Sequence, residues 1–353
     1  MKNFTLTSIS LMGILLACKP GDPAANAALT QAILSGSGIP AGAFPPGVIV
    51  PPGCFPAPFS IYNIYDVVVL ENFESHASDT QGGVIAGGDV TLQDYEIGLL
   101  LPNEPTRDHL IVGGNLQFNR GAVSHGRISY AGSGVVTSVN NPAGHQKFEV
   151  LDFASVKTVM DAFSSKLNSL TVNGTTHVWQ AGPKNKVTLT GTQPGINVWS
   201  VEASNLLNTW GMEIDAPANS TAVVNIAGNS TINWNTFSIR YKNIARNRTI
   251  FHMPDIASLN MQAMGFDGNL FAPKTNVAFN NGLFTGHMIA KSFAGSAQIN
   301  HDPFQGCIPT GQPTPTPTVD PTATPTVDPT ATPTVVPTAT ATPPPPPPSP
   351  TPD

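Results

Sequence analysis

The pattern of apolar and polar residues divides the chain. After Lys2 an apolar run extends from Phe4 to Ala17 and stops at Leu15-Leu16-Ala17-Cys18. Residues 19–58 carry no period: Gly, Pro and Ala dominate, and Pro45-Pro46, Pro51-Pro52, Pro56 and Pro58 block regular pairing, so the stretch reads as a tether. Only Ala24 to Leu34 has the makings of a turn or two of helix. From 59 to 308, short β-type runs separated by Gly, Asn and Asp predict one strand-rich domain. Beyond it, residues 309–353 hold no core-forming pattern at all.

The strand-rich region repeats itself. Val84 to Leu92 (VIAGGDVTL) returns 26 residues later as Leu110 to Phe118 (LIVGGNLQF), a short strand, a glycine corner and an alternating strand. A second pattern, Gly-x-apolar-apolar-Ala, occurs as Gly82 to Ala86, Gly268 to Ala272 and Gly286 to Ala290, the last two 18 residues apart. Eighteen residues suit one coil of a three-faced β-helix, with Gly or Asn turning the corners. Further strands are predicted at Lys186–Thr190, Ile196–Val201, Ala222–Ile226, Phe237–Tyr241 and Thr249–Met253. A right-handed parallel β-helix is the favoured fold. The Asn-Gly steps at 173–174 and 281–282 leave an antiparallel β-sandwich open as the alternative.

One segment changes period. Phe153, Val156, Met160, Phe163, Leu167 and Leu170 fall three or four apart and share one face of a helix. Asp152 is its N-cap candidate, and Asn173-Gly174 closes the segment. A lone amphipathic helix in a β chain must lay that face against the sheet.

The two ends speak to location. A charged start, a short apolar run and a small residue before a cysteine mark an export signal too short to span a bilayer. Leu15-Leu16-Ala17-Cys18 resembles a bacterial lipoprotein signal, which makes residues 1–18 the signal and Cys18 the lipidated N-terminus. The membrane is then a partner through that lipid. The tail repeats PTVDPTAT at 317–324 and 325–332, and six consecutive prolines follow at 343–348. Such a segment favours extended polyproline II, about 3.1 Å per residue, and suits a spacer, stalk or glycosylated stretch.

Charge narrows the partners. Sixteen Lys and Arg against 22 Asp and Glu give a net charge of -6, with no basic stripe for nucleic acid. With Cys18 set aside, Cys54 and Cys307 remain, an even pair expected to form a disulfide in an oxidising compartment.

Catalytic patterns are missing: no HExxH, no zinc-type histidine pairing, no EF-hand and no phosphate loop. Neither a catalytic residue, a metal nor a cofactor is expected. His125 beside Gly126 and His301 beside Asp302 are the most prominent polar positions, with corner roles expected. Asp89 and Asp94 offer two carboxylates for a polysaccharide-cleaving alternative, although Asn115 at Asp89's repeat position points to a turn. The better lead is aromatic: Trp179, Trp199, Trp210 and Trp234 are candidates to stack on a glycan or a proline-rich matrix protein, or else to fill the core. Thr188, Thr190, Thr192, Thr221, Thr231 and Thr236 raise ice binding as a further alternative, but their spacing is irregular.

The order of the pieces carries a family resemblance. Ile61 to Tyr65 leads into Val67–Leu70, Gly83–Asp89 and Val112–Asn115; then come Asp152-Phe153, the helix, Thr190-Gly191 and Pro194–Val198. Phe271-Ala272-Pro273, Gly286–Lys291 and Asn300–Phe304 close the series. Across most of 60–306 the chain resembles the choice-of-anchor A family of bacterial surface proteins, departing from its pattern at Leu70-Glu71-Asn72-Phe73, where a glycine is expected. The resemblance implies an adhesin-like β-helix with a flanking helix, akin to ice-binding β-helices, displayed at the cell surface. Cys18 would then be this member's anchor.

Overall fold

The computed structural model describes residues 53–55, 57–148, 151–310 and 342–345. The signal 1–18 with Cys18, the tether through residue 52 and nearly all of the tail lie outside the described residues. The chain divides into two units, Met1–Gln312 and Pro313–Asp353, and the folded domain belongs to the first.

That domain is a parallel β-solenoid with a helix laid on one face. The sandwich alternative is overturned: among the named strands only Thr175–Ala181 and Lys184–Thr190 pair antiparallel. Val84 pairs with Leu110 and Leu110 with Ile128, so one coil takes 26 residues and the next 18. The Gly-x-apolar-apolar-Ala segments stack in register, Ala272 on Ala290, Ala290 on Val69 and Val69 on Ala86.

The order of coils is not the order of the chain. Tyr65–Val69 enters mid-column, with Gly83–Ala86 on one side and Met288–Gly295 on the other. The chain winds outward through Asp108–Val112, Arg127–Tyr130 and His145–Lys147 to one end. The helix Phe153–Asn168 follows, and winding resumes at the opposite end with Ile196–Glu202. From there Thr221–Ala227, Thr249–His252, Asn269–Asn280 and Met288–Gly295 return to the start. The first coil therefore meets the last along a seam, with Val67 on Met288, Val68 on Ile289 and Val69 on Ala290.

Burial explains the two kinds of strand read in the sequence. Tyr65–Val69 is buried at every position. Val67 and Val69 point into the solenoid, while Val68 joins Ile85, Ile111, Val198, Val223, Ile250, Phe271 and Ile289 under the helix. A sheet covered on both faces reads as a continuous apolar run. Val90–Ile97, solvated outside, alternates over its first half: Val90 and Leu92 are buried, Thr91 and Gln93 exposed.

The helix buries Val156, Val159, Met160, Phe163 and Leu167. Sixteen residues span about 24 Å at 1.5 Å each, roughly five strand spacings of about 4.8 Å, so it straps successive coils together. Asp152 caps it, accepting from the Ala154 amide at 3.1 Å. The helix ends at Asn168, before Asn173-Gly174. Asn173 instead docks on the next coil, donating to the Ile196 carbonyl and accepting from the Val198 amide. At the helix start Phe153 demands glycine below it: a Cβ on Gly113 would lie 2.6 Å from its ring and 2.5 Å from the Gly87 carbonyl oxygen.

Corners depart from the expectation of Gly or Asn. Ala77, Asp94, Arg120 and Ser138 have φ of 50°, 52°, 60° and 55° and stack at one corner. Each left-handed non-glycine residue costs roughly 1–2 kcal/mol, held here by paired strands on both sides. A second corner is a side-chain ladder. Asn72 accepts from the Asp89 amide, Asp89 from the Asn115 amide, and Asn115 from the Ser133 amide. Asn72 thus supplies the first rung of this corner with its side-chain amide oxygen.

The expected disulfide is present. Cys54 and Cys307 are bonded, with Cα atoms 5.3 Å apart. Alongside, the Phe55 amide donates to the Ile308 carbonyl at 2.6 Å.

Candidate functional site

At one end of the column lies a separate four-stranded sheet of Thr175–Ala181, Lys184–Thr190, Thr209–Asp215 and Ser238–Lys242. Val187, Leu189, Met212 and Ile214 point inward from it. The opposite side chains form three rows facing solvent. Trp179, Lys186, Gly211 and Ser238 are aligned in one, and His177, Thr188, Glu213 and Arg240 in the next. Thr175, Thr190, Asp215 and Lys242 make the third.

A bulge places the second tryptophan. The register slips between Asn185 and Lys186, whose partners are Thr209 and Gly211, so Trp210 between them is left unpaired. Bulges re-aim a side chain in this way. Trp210 is 39% exposed and Trp179 53%, high for rings this large. Lys186 sits between them, 5.9 Å from the Trp210 ring centroid and 2.9 Å from Glu213. That hydrogen bond holds the Glu213 carboxyl below its ordinary range. The His177 ring lies 3.8 Å from the ring of Trp179, edge to face. Gly211 contributes no side chain, and a Cβ there would come within 2.6 Å of the Ser238 hydroxyl. The result is an exposed strip, His177–Trp179–Lys186–Trp210, in which the Lys186–Glu213 pair sits beside the rings.

The other two tryptophans are core residues. Trp199 is fully buried, and its indole donates to the Thr190 carbonyl at 3.2 Å. Trp234 is 2% exposed and stacks on Phe237 at 4.3 Å. Burial takes both away from any solvent-facing contact.

The remaining sequence candidates separate. Asp94 makes a bidentate pair with Arg120 at 2.6 and 2.7 Å, and Asp89 serves the corner ladder, so both carboxylates are engaged. His125 is a corner residue with φ of 66°. Thr221 is buried and Thr236 turns a corner, so the threonines do not form one array. A neighbouring solenoid face instead shows a shallow groove of amides, Asn233, Asn235, Asn260, Gln262 and Asn280.

One cluster was legible only in part: the sequence singled out His301, but for a corner role, whereas the structure sets it against a buried carboxylate. Asp66 of the first coil is fully buried, accepting from the Gly82 amide at 2.6 Å and bonding His301 Nδ1 at 2.6 Å. His287 approaches the same oxygen, Oδ1, with Nε2 3.8 Å away. Burial pushes the Asp66 carboxyl up and His287 down to about 3. Burial works against a charged His301, but its hydrogen bond and attraction to Asp66 outweigh that and raise it. No short motif could reveal this group, because its members come from opposite ends of the domain.

The family model described as "Putative Ice-binding-like adhesive domain" matches residues 58–301. The chain belongs to this family. The match covers the solenoid and its helix, the same span that holds the tryptophan strip. No curated protein matches the chain. Among solved structures, an ice binding protein from an Antarctic bacterium, Flavobacteriaceae, matches at 12% identity. It covers 68% of this chain and 83% of its own, with a TM-score of 0.24, a likeness too loose to carry an argument.

Proposed function

We propose that the domain is an adhesive module of the cell surface and that the His177–Trp179–Lys186–Trp210 strip is its ligand face. The observation that carries this reading is the pair of exposed tryptophans on one sheet, one of them turned outward by a bulge. Flat aromatic rings beside hydrogen-bonding side chains suit the apolar face of a sugar ring, with Lys186, Glu213 and Arg240 meeting hydroxyls. A glycan is therefore the first ligand class, and a proline-rich matrix protein the second. The engaged carboxylates of Asp89 and Asp94, and the amide groove nearby, favour binding over polysaccharide cleavage.

The finer assignment to the choice-of-anchor A type rests on the motif order from Ile61 to Phe304. In that reading residues 1–18 are the signal, Cys18 carries the lipid, 19–58 is the tether and the Pro/Thr-rich 309–353 is a spacer. The deciding experiment is a glycan and matrix-protein array probed with the disulfide-bonded domain. Binding to a glycan that Trp179→Ala and Trp210→Ala both weaken is the expected result. A ligand whose binding ignores both substitutions would place the contact face elsewhere.

A further inference from the structure

The seam between first and last coil holds a group that the adhesive reading does not use. Asp66 comes from the first coil, while His287 precedes Met288–Gly295 and His301 follows the last strand, Gln298–Asn300. One ligand atom from each lies within 4.8 Å of the other two. Two imidazoles and a carboxylate are a donor set that suits zinc, at about 2.0–2.2 Å from each ligand atom. Tetrahedral ligands at that radius stand roughly 3.4 Å apart. The 3.8 Å from Asp66 to His287 is close to such an edge, and the 2.6 Å hydrogen bond to His301 has to open by roughly 0.8 Å.

A second observation points to a ligand. His287 is 1% exposed, yet neither ring nitrogen completes a hydrogen bond of normal geometry, although the Asn63 backbone lies beside it. A buried polar ring left in that state is costly unless something else meets it. Asp66 is oriented as ligating carboxylates are: Oδ2 is held by the Gly82 amide, which leaves Oδ1 toward both histidines. Asp302, the nearest further carboxylate in sequence, is occupied by Arg246 and Asn247.

We propose that Asp66, His287 and His301 bind one zinc ion that clasps the first coil of the solenoid to the last. Three protein ligands leave the fourth position to water, reached past His301, whose side chain is 19% exposed.

The test uses the full chain, stripped with chelator and titrated with Zn2+, with Ca2+ as the hard-ion control. One zinc per chain is expected, a higher melting temperature with zinc than with Ca2+, and slower amide exchange at Val67–Val69 and Met288–Ala290. His301→Gln, at the more accessible position, should keep the fold and weaken zinc binding roughly a hundredfold or more, because even an outer-shell loss costs about 10–100-fold. Asp66→Asn is the second variant. A folded chain that takes up no zinc overturns the proposal. So does zinc bound equally well by His301→Gln, or zinc that leaves exchange across the seam unchanged.

Discussion

Val68 lies beside Ile289 in parallel register, although almost the whole domain separates them in sequence. Both point out of the solenoid and under the helix. The seam is therefore closed three times over: by strand pairing, by the helix laid across it, and by the Cys54–Cys307 bond. Each closure can be removed separately.

The helix closure rests on Phe163. Its ring is fully buried and meets Phe59 at 6.1 Å and Phe271 at 4.9 Å, both edge to face. Phe163→Ala should destabilise the domain by about 3–5 kcal/mol, transfer and cavity terms together. Thermal or denaturant unfolding checks it. An unchanged midpoint would mean that the strap is dispensable.

For the covalent closure, the bonded cysteines are 253 residues apart. The chain-entropy model gives about 5.5 kcal/mol for so long a loop, an upper figure because unfolded chains keep some structure. Cys54→Ser with Cys307→Ser should lower the denaturant midpoint accordingly, and reduction of the native protein should do the same. Equal midpoints with and without reductant would show that the bond contributes nothing.

Acid should loosen the strap through His252. This ring is buried on Thr249–His252, with Nε2 2.9 Å from Ser164 of the helix and Nδ1 2.8 Å from Asn225. Burial lowers it to about 4; nearby Asp255 opposes this and Lys274 adds to it. The unfolded chain takes up this proton near pH 6.5, before the native state does, so the contribution is complete above about 6.5 and is lost as pH falls toward 4. The loss is at most about 3 kcal/mol. His252→Gln should flatten the fall in melting temperature over that window without abolishing it, since His287 is also held neutral. Parallel pH profiles for the two proteins would contradict this.

The tryptophans should separate binding from folding. Trp179→Ala and Trp210→Ala remove exposed rings, so stability should move by no more than about 0.5 kcal/mol. Each should weaken glycan binding by roughly 2- to 13-fold, the equivalent of about 0.5–1.5 kcal/mol for an aromatic contact. Trp199→Ala, in contrast, should cost about 3–5 kcal/mol of stability. If Trp179→Ala or Trp210→Ala melts as early as Trp199→Ala, the strip is structural.

Much of this fold was legible because the solenoid writes its repeat into the chain. Val84–Leu92 and Leu110–Phe118 stack as their similarity implies, and the helix pattern from Asp152 appears as an Asp152-capped helix. The coil order was not legible. Parallel strands of neighbouring coils look alike whichever is adjacent, so nothing local says that Val68 meets Ile289 rather than a nearer segment. Trp199 and Trp210 differ in fate because a one-residue bulge reverses which side of the sheet Trp210 faces, and a slip that small leaves no compositional mark. The corner at Ala77, Asp94, Arg120 and Ser138 was hidden for a related reason: stacking supplies what glycine would otherwise have to.

The Cys54–Cys307 bond also decides how the domain answers a mechanical pull. The two ends of the folded domain lie side by side, where Phe55 pairs with Ile308 and Cys54 bridges to Pro309. Tension applied between the segments before Cys54 and after Cys307 runs through the sulfur–sulfur bond and never enters the coils. The hydrogen bonds of every strand from Tyr65 to Asn300 are shunted out of the load path. Reduction of that one bond would put the seam first in line to tear.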